Sequence, residues 1–465
     1  MSTALDHTTV PVIRSRFVGD LVEEGDPGYD DARSLFNGMF DRRPRLAVRC
    51  AGAADVAAGI LLARETGLPL CVRGGGHGVN GHAVVDGGIL LDLSPMKRIA
   101  VDPESRTVRA QAGVTWGELD AATQAHGLAT TGGRITTTGI AGLTLGTGSG
   151  WLERLYGFTA DNLLAATVVT ASGETVEANE NENPDLFWGL RGGGGNFGVV
   201  TEFVYRLHEV GPMVLGGMLL WPVERAGEVL RRLRSFMESA PDEVSGGAAL
   251  LTAPPAPFVP PELHGHHVVG VIALAFTDPE RGAELWAPLR EVEPAVDVVG
   301  PMPYTEVQKL LDPQNPPGLH NYWKAELLPE LPDEAIDAIV GHCARMRSPY
   351  SVLFFQPLGG AVARIPEDAC AISARDGRWI CHAIGEWATP AETESEVAWV
   401  RAWGDLVEPF RRPGVPMTFS ADTGDERVRG TFGDEKYARL VALKDRYDPD
   451  NLFRSNQNIP PSARP

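Results

Sequence analysis

Between Arg73 and His77 the chain places three glycines in a row. Two more glycine-rich stretches follow, Gly139 to Gly150 and Gly192 to Gly198. Glycine loses more backbone freedom on folding than any other residue, so such a triplet marks a close approach to the main chain. Successive glycine N–H groups can converge on an anion, and an arginine beside them adds charge. A pyrophosphate is the ligand that suits both. His77 closes the run with an imidazole, a neutral nucleophile near physiological pH. His82 is a second imidazole on the same stretch.

Other motif readings fail on context. "GTGSG" (Gly146 to Gly150) superficially matches a dinucleotide fingerprint. That fingerprint needs a strand before it and a helix opening at its last glycine, and "TTTGIAGLTL" is too polar and glycine-rich for a central strand. No Gly-Lys-Ser/Thr occurs, so a Walker A loop is excluded. In "HGHH", His264, His266 and His267 precede a strand and lack a carboxylate or cysteine partner, so the run reads as solvated loop rather than metal site.

The elements that must position the glycine loops alternate. "AADVAAGILLARETG" is a helix ending at Gly67, "LPLCVRG" a strand, "GGILLDLSPM" a buried strand. "TVRAQAG" is a strand and "TWGELDAATQAHG" a helix with Thr115 at its N-cap. "LLAATVVTASGETVEA" is a hairpin turning at Ser172 and Gly173. "PDLFWGLRGGGGNFGVVTEFVYRL" reads as a short helix, a glycine run and a long strand. After about Leu207 proline-rich connectors separate strands such as "HHVVGVIALAF" from amphipathic helices such as "ERAGEVLRRLRSFMES". This second part reads as an antiparallel sheet with helices on one side. A helix over "GDEKYARLVALKDRY" and a turn-rich tail end the chain.

At 465 residues the chain is long enough for two or three domains. A net charge of −20 argues against nucleic-acid and anionic-membrane partners. Five scattered cysteines with no C-x-x-C fit a reducing cytoplasm rather than a disulfide or zinc framework. The N-terminal stretch lacks the pattern of a secretory signal, and "VVGVIALAF" is too short to span a bilayer.

Four stretches together carry a resemblance: "VRGGGHGVNGHAVVDGGILLDLSPM", "GLTLGTGSGWLERLYGFTADNL", "NPDLFWGLRGGGGNFGVVTEF" and "YDPDNLFRSNQNIPP". The sequence resembles the flavin-linked oxidases of the vanillyl-alcohol oxidase and para-cresol methylhydroxylase superfamily, in the berberine bridge enzyme-like branch. The resemblance implies an α+β fold: a two-subdomain FAD-binding domain (residues 1–207), an antiparallel-sheet substrate domain (208–430) and a C-terminal segment (431–465) returning to the FAD domain. It implies FAD bound through an 8α-histidyl link at His77. Further cofactor contacts implied are Arg73, Gly74, Gly75, Gly76, Gly78, Gly81 and His82, then Thr138, Gly139 and Gly142, then Val200, Asn456 and Asn458. Ile135 stands where some relatives carry a second, cysteinyl link, so one covalent bond is expected. Thr138 falls where relatives control oxygen access, and its small side chain favours an oxidase.

Such an oxidase moves a hydride from substrate to flavin N5 and needs a base for the neighbouring proton. Relatives place a tyrosine in a late strand; here that position reads as Pro416. Other strands must supply the base. "NYWKAELL" offers Tyr322 and Lys324 on one face and Trp323 on the other by alternation. "SVLFFQPLGG" offers Gln356, with Phe354 on its face, and "GRWICHAIGEW" offers His382, with Ile380 two residues before it. The expected activity is a covalent-FAD oxidase acting on a small or medium organic molecule, a specialised metabolite, with O2 reduced to H2O2. The loss of the usual base leaves a flavin-dependent cyclase or monooxygenase-like catalyst as the second reading. Neither fold nor motif names the substrate.

Overall fold

The computed structural model describes residues 13–373, 375–414, 417–421 and 424–463. The stretch read for a secretory signal therefore lies largely outside the described residues, and Pro416 lies wholly outside them.

The first sheet has the order Asp20–Val22, Leu46–Arg49, Ile89–Asp92, Leu70–Arg73. Its last three strands run parallel, joined through the helix Ala53–Thr66. Burial on both faces explains their unbroken apolar runs, and Leu46, Val48, Ile89 and Leu91 are all fully buried. The helix ends at Gly67, whose φ of 70° is the left-handed cap that glycine favours.

The second sheet is antiparallel, in the order Ile99–Asp102, Thr107–Gln111, Val199–Arg206, Leu163–Val169, Thr175–Asn179. The expected hairpin is its last pair. The helix Trp116–Gln124 opens with Thr115, whose N–H donates to the Glu118 carboxylate at 2.8 Å. One apolar core joins both sheets.

Among the described residues the third sheet has nine strands, every pair antiparallel. Its middle runs through His267–Ala275, Val244–Thr252, Val352–Pro357, Trp379–Trp387 and His320–Leu328. Helices Ala226–Ser239, Pro279–Arg290, Asp333–Cys343 and Thr393–Val407 pack on one face, sharing a core with Leu353, Phe355, Cys381 and Ala383. The opposite face meets the first two sheets' loops. Arg154 ties the two parts, donating to the carbonyls of Val244, Leu358 and Ala240 at 2.9, 2.6 and 3.0 Å.

The boundary expected at residue 431 falls inside one helical stretch, Asp425–Tyr447. That stretch breaks at Gly433, where φ is 73°. Its second half packs on the helix Pro184–Leu190, so the chain does return to the first core. No helix among the described residues is long and apolar enough to cross a membrane.

Candidate functional site

The Leu70–Arg73 strand delivers the chain into the glycine triplet. Among the described residues no acceptor takes the N–H of Gly74, Gly75, Gly76, His77 or Gly78. The second glycine loop closes on the first. A Cβ on Gly75 would lie 2.4 Å from the Gly139 nitrogen, and one on Gly139 would lie 2.4 Å from the Gly75 nitrogen. Only residues without side chains allow that approach. Gly76 and Gly81 have φ of 69° and 68°, and a Cβ on Gly81 would enter the Phe40 ring. Gly142 is exposed, with open space beside its Cα.

Two positions differ from expectation in how they act. The Arg73 guanidinium is committed within the protein, its Nη1 to Asp92 at 3.0 Å and its Nε to the Ser34 carbonyl at 3.2 Å. These bonds hold it at the strand end, beside the glycine loop. The third glycine cluster is spent in part on packing. Three of its N–H groups are used, those of Gly192 and Gly194 by the Leu145 carbonyl and that of Gly193 by the Gly189 carbonyl. It is a packing spacer against Ile372 and Leu440.

His77 stacks on Phe36 with ring centroids 3.8 Å apart, and its Nε2 is buried without a partner. Burial pushes its pKa down to about 4. His82 Nε2 is likewise without a partner, and burial, helped by Arg42, lowers it to about 4. The C-terminal turn adds two more such atoms, Oδ1 of Asn456 and of Asn458. That turn is docked by Asn196, which donates to the Gln457 carbonyl at 3.2 Å and accepts from Ile459 at 2.9 Å. Lys444, fully buried, anchors its base through Asp448 at 2.6 Å. Val200 lies in the core of the second sheet, paired with Val168 across the ladder. Thr138 is half-buried; its carbonyl accepts from Trp116 and its N–H donates to Ile135. These unsatisfied groups on the expected loops, together with the close backbone packing, fit an FAD.

The substrate sheet corrects part of the catalytic set. His382 is paired across strands with Phe354 on one side and Ala325 on the other. By alternation His382, Ile380, Phe354, Gln356 and Trp323 share the face turned to the cofactor loops. Tyr322 and Lys324 lie on the opposite face. The Tyr322 hydroxyl accepts from Arg401 at 3.3 Å, and the Lys324 side chain lies over Gly404, both on the helix Thr393–Val407. They are not brought to the site, because that face is the one the helices cover. Gln356 is on the right face but is internally satisfied. Its Nε2 donates to Ser149 and Glu153, each at 2.8 Å, and its Oε1 accepts from Arg134 at 3.3 Å. Two residues escaped the sequence reading: Arg134, one position before Ile135, and Glu386, on the His382 strand. Glu386 is 2% exposed, its Oε1 has no partner, and burial raises its carboxyl to about 8. The alternation in "WICHAIGEW" was the available signal.

His382 alone of the four keeps a free polar atom. It is buried among Phe354 and Phe419, and its Nε2 has no partner. Burial, then the Arg134 charge, lowers it to about 3, so it is a neutral imidazole. The "HGHH" loop holds no metal cluster: His264 is bonded to the Val259 carbonyl at 2.9 Å, and no group of three ligand-type residues gathers among the described residues.

Family models match two parts of the chain. Residues 44–179 match the FAD binding domain, and residues 403–460 match the segment described as berberine and berberine like. The (R)-6-hydroxynicotine oxidase of Paenarthrobacter nicotinovorans is 31% identical over 96% of this chain and 97% of its own length. A crystal structure of 6-hydroxy-D-nicotine oxidase from Arthrobacter nicotinovorans superposes with a TM-score of 0.85 at 28% identity, covering 95% of this chain and 98% of that one. Berberine bridge enzyme from Eschscholzia californica shares the fold, with a TM-score of 0.85 at 21% identity over 98% and 99% of the two chains.

Proposed function

The chain belongs to the berberine bridge enzyme-like family of FAD-linked oxidoreductases, and on that premise we propose that it is an oxidase carrying FAD on one covalent bond from His77. Its substrate is a small or medium organic molecule, and O2 takes the electrons to give H2O2. The observation that carries the reading is the run of untaken N–H groups from Gly74 to Gly78, centred on an imidazole with a free buried nitrogen. Bound FAD supplies the hydride acceptor.

The chain's own residues do the remaining work. On this reading residues 1–207 and 431–465 hold the cofactor and 208–430 the substrate. The loop N–H groups hold the diphosphate. Asn456 and Asn458 offer acceptor oxygens from the terminal turn. The burial that lowers His77 keeps its ring neutral, hence nucleophilic, down to about pH 4. Ile135 provides no thiol for a second link, and the cysteines, all buried and unbonded, lie elsewhere. Thr138 leaves room for O2. His382 accepts the substrate proton, because a neutral buried imidazole is a base awaiting a partner. Gln356 is a positioning residue that holds Arg134. Five free thiols suit a cytoplasmic setting.

The test is the colour of the denatured, filtered polypeptide, followed by mass mapping of the tryptic fragment Gly74–Lys97. Fragmentation must place flavin on His77 and not on His82, and His77→Ala must abolish the bond. Colour lost wholly to the filtrate, or flavin on His82, overturns the assignment. Peroxide measured per turnover decides against the monooxygenase-like reading, and a product that is not ring-closed decides against the cyclase, the alternatives that the sequence at Pro416 favours; one peroxide per substrate is the oxidase result.

A further inference from the structure

A covalent bond from His77 needs its imidazole held still, yet Nε2 has no hydrogen-bond partner to hold it. The ring lies instead on Phe36, stacked with an interplanar angle of 15°. Phe36 opens the segment Phe36–Gly38, between the helix Tyr29–Arg33 and the strand Leu46–Arg49. That segment grips the chain on both sides of His77. The Phe36 N–H donates to the Gly76 carbonyl at 3.0 Å, and Asn37 Nδ2 donates to the Val79 carbonyl at 2.8 Å. Both grips take carbonyl oxygens, so they fasten the loop without spending the N–H groups that suit a diphosphate.

The same three residues hold the substrate sheet. Asn37 is fully buried, and its Nδ2 also donates to the Asn321 carbonyl at 2.8 Å. Its Oδ1 accepts from the N–H groups of Asn321 and Met39, each at 3.0 Å. Both donor and both acceptor positions of the amide are therefore filled, which fixes one geometry. The Gly38 N–H donates to the Leu319 carbonyl at 2.8 Å, and the Phe36 carbonyl accepts from Gly318 at 2.9 Å. A Cβ on Gly38 would lie 2.2 Å from the Gly318 carbonyl oxygen, so the two backbones touch. Asn321 belongs to the strand His320–Leu328, and its Oδ1 accepts from the Trp323 indole N–H at 2.9 Å. One short segment thus joins the two flanks of His77 to the strand that carries Trp323.

We propose that Phe36–Gly38 is an interdomain clamp in which Phe36 and Asn37 are positioning residues: they orient the His77 imidazole for attachment of the flavin. This rests on the covalent-FAD reading and adds what sets the ring in place. In the attachment a ring nitrogen joins the flavin 8α carbon, while one C–H bond there and one imidazole N–H bond break. The two electrons and two protons pass to the flavin ring and from it to O2, giving H2O2. Such a step needs the nitrogen aimed at one carbon, and a misplacement of about 1 Å costs it about a hundredfold. Because the far end of the clamp rests on the substrate strand, attachment also requires that sheet to be docked.

The experiment compares two quantities in the flavin-loaded protein purified in air: total flavin per polypeptide, and the share of it that stays in the acid-precipitated pellet. The unaltered protein should keep its colour in the pellet. Phe36→Leu keeps apolar bulk and loses the flat ring. Its pellet share should fall at least about threefold while total flavin stays within about twofold. Phe36→Tyr keeps the ring and should keep the share. Asn37→Ala and Gly38→Ala cut the clamp at its middle and at its sheet end, and both should act like Phe36→Leu; if either fails to fold, the Phe36 pair decides. An unchanged share in Phe36→Leu, a fall in total flavin at constant share, or an equal loss in Phe36→Leu and Phe36→Tyr overturns the proposal. Full shares in Asn37→Ala and Gly38→Ala overturn the link to the sheet. A colourless pellet from the unaltered protein removes the covalent reading and the clamp with it, whereas a coloured pellet in every variant removes the clamp alone.

Discussion

The two walls of the proposed cofactor site are built on different principles. The loop wall works through main chain: bare N–H groups on one glycine loop, with a second glycine loop pressed against it at Gly75 and Gly139. The sheet wall works through side chains, and which of them reach the cleft is set by strand register and by what covers the other face. Of the four sheet residues expected to act, two are turned to the helices, one is consumed by Arg134, Ser149 and Glu153, and one remains. A main-chain site tolerates almost no added atom where loops touch, whereas a side-chain site tolerates most changes outside its few free groups.

The sharpest break of this contrast is one methyl group at Gly139. Gly139→Ala puts a Cβ 2.4 Å from the Gly75 nitrogen and 2.7 Å from its Cα, backbone atoms that cannot step aside. The loops must part, and we expect bound flavin to fall at least about tenfold, read as absorbance per polypeptide, with the substrate sheet still folded by circular dichroism. Retained flavin at normal occupancy would show that the loop contact is dispensable.

A second break acts from behind the loop wall. Lys444 and Asp448 are both fully buried, and the Lys444 ammonium also donates to the carbonyls of Asn196 and Phe453 at 3.0 and 2.9 Å. Lys444→Met strands the Asp448 carboxylate and should cost about 3–5 kcal/mol in denaturant unfolding. It should also loosen the turn bearing Asn456 and Asn458. Adding Asp448→Asn should recover part of that loss; no recovery would mean that the ion pair is not the anchor.

The same contrast explains what could be read without coordinates. The strand–loop–helix order, the Thr115 cap, the hairpin at Ser172–Gly173 and the glycine loops were legible because residue type alone dictates those backbone conformations. The ion pair of Arg73 was not legible because its partner, Asp92, comes from a parallel neighbour nineteen residues away in sequence. Likewise the third glycine cluster looks like a nest in sequence, and only packing against Leu145 and Gly189 uses up the donors of Gly192, Gly193 and Gly194. Alternation correctly split Tyr322 from Trp323 yet could not say which face met the cofactor loops. That choice belongs to the helix Thr393–Val407, far along the chain. Arg134 carried no motif and became visible only through Gln356.

The sheet wall can be sharpened by acidity. Glu386 titrates at about 8 in the fold because burial disfavours its charge, against about 4.3 in an unfolded chain. The unfolded chain therefore releases this proton first. Stability from the neutral carboxyl is full below about pH 4, declines as pH rises, and is exhausted by about pH 8. Glu386→Gln should match the unaltered protein at pH 4 and melt higher at pH 8, by roughly 1–3 °C. Equal melting at both values would place a partner on the carboxyl.

The smallest effects belong to the covered face. Tyr322 and Lys324 pack against the helix bearing Arg401 and Gly404, so their chemistry is spent on domain packing. Tyr322→Phe removes one hydroxyl that accepts from Arg401 at 3.3 Å and should cost only about 0.5–1 kcal/mol of stability. Its kcat/KM should stay within about twofold of the unaltered enzyme, and Lys324→Met should behave alike. His382→Gln, one strand over and one face round, should lower kcat/KM by about a hundredfold and flatten its acid limb, because the base itself is gone. The ratio between those effects is the informative quantity. If Tyr322→Phe proved as damaging to turnover as His382→Gln while melting normally, the helix-covered face would be the working one, and the register argument that separates the two sides of the sheet would fail.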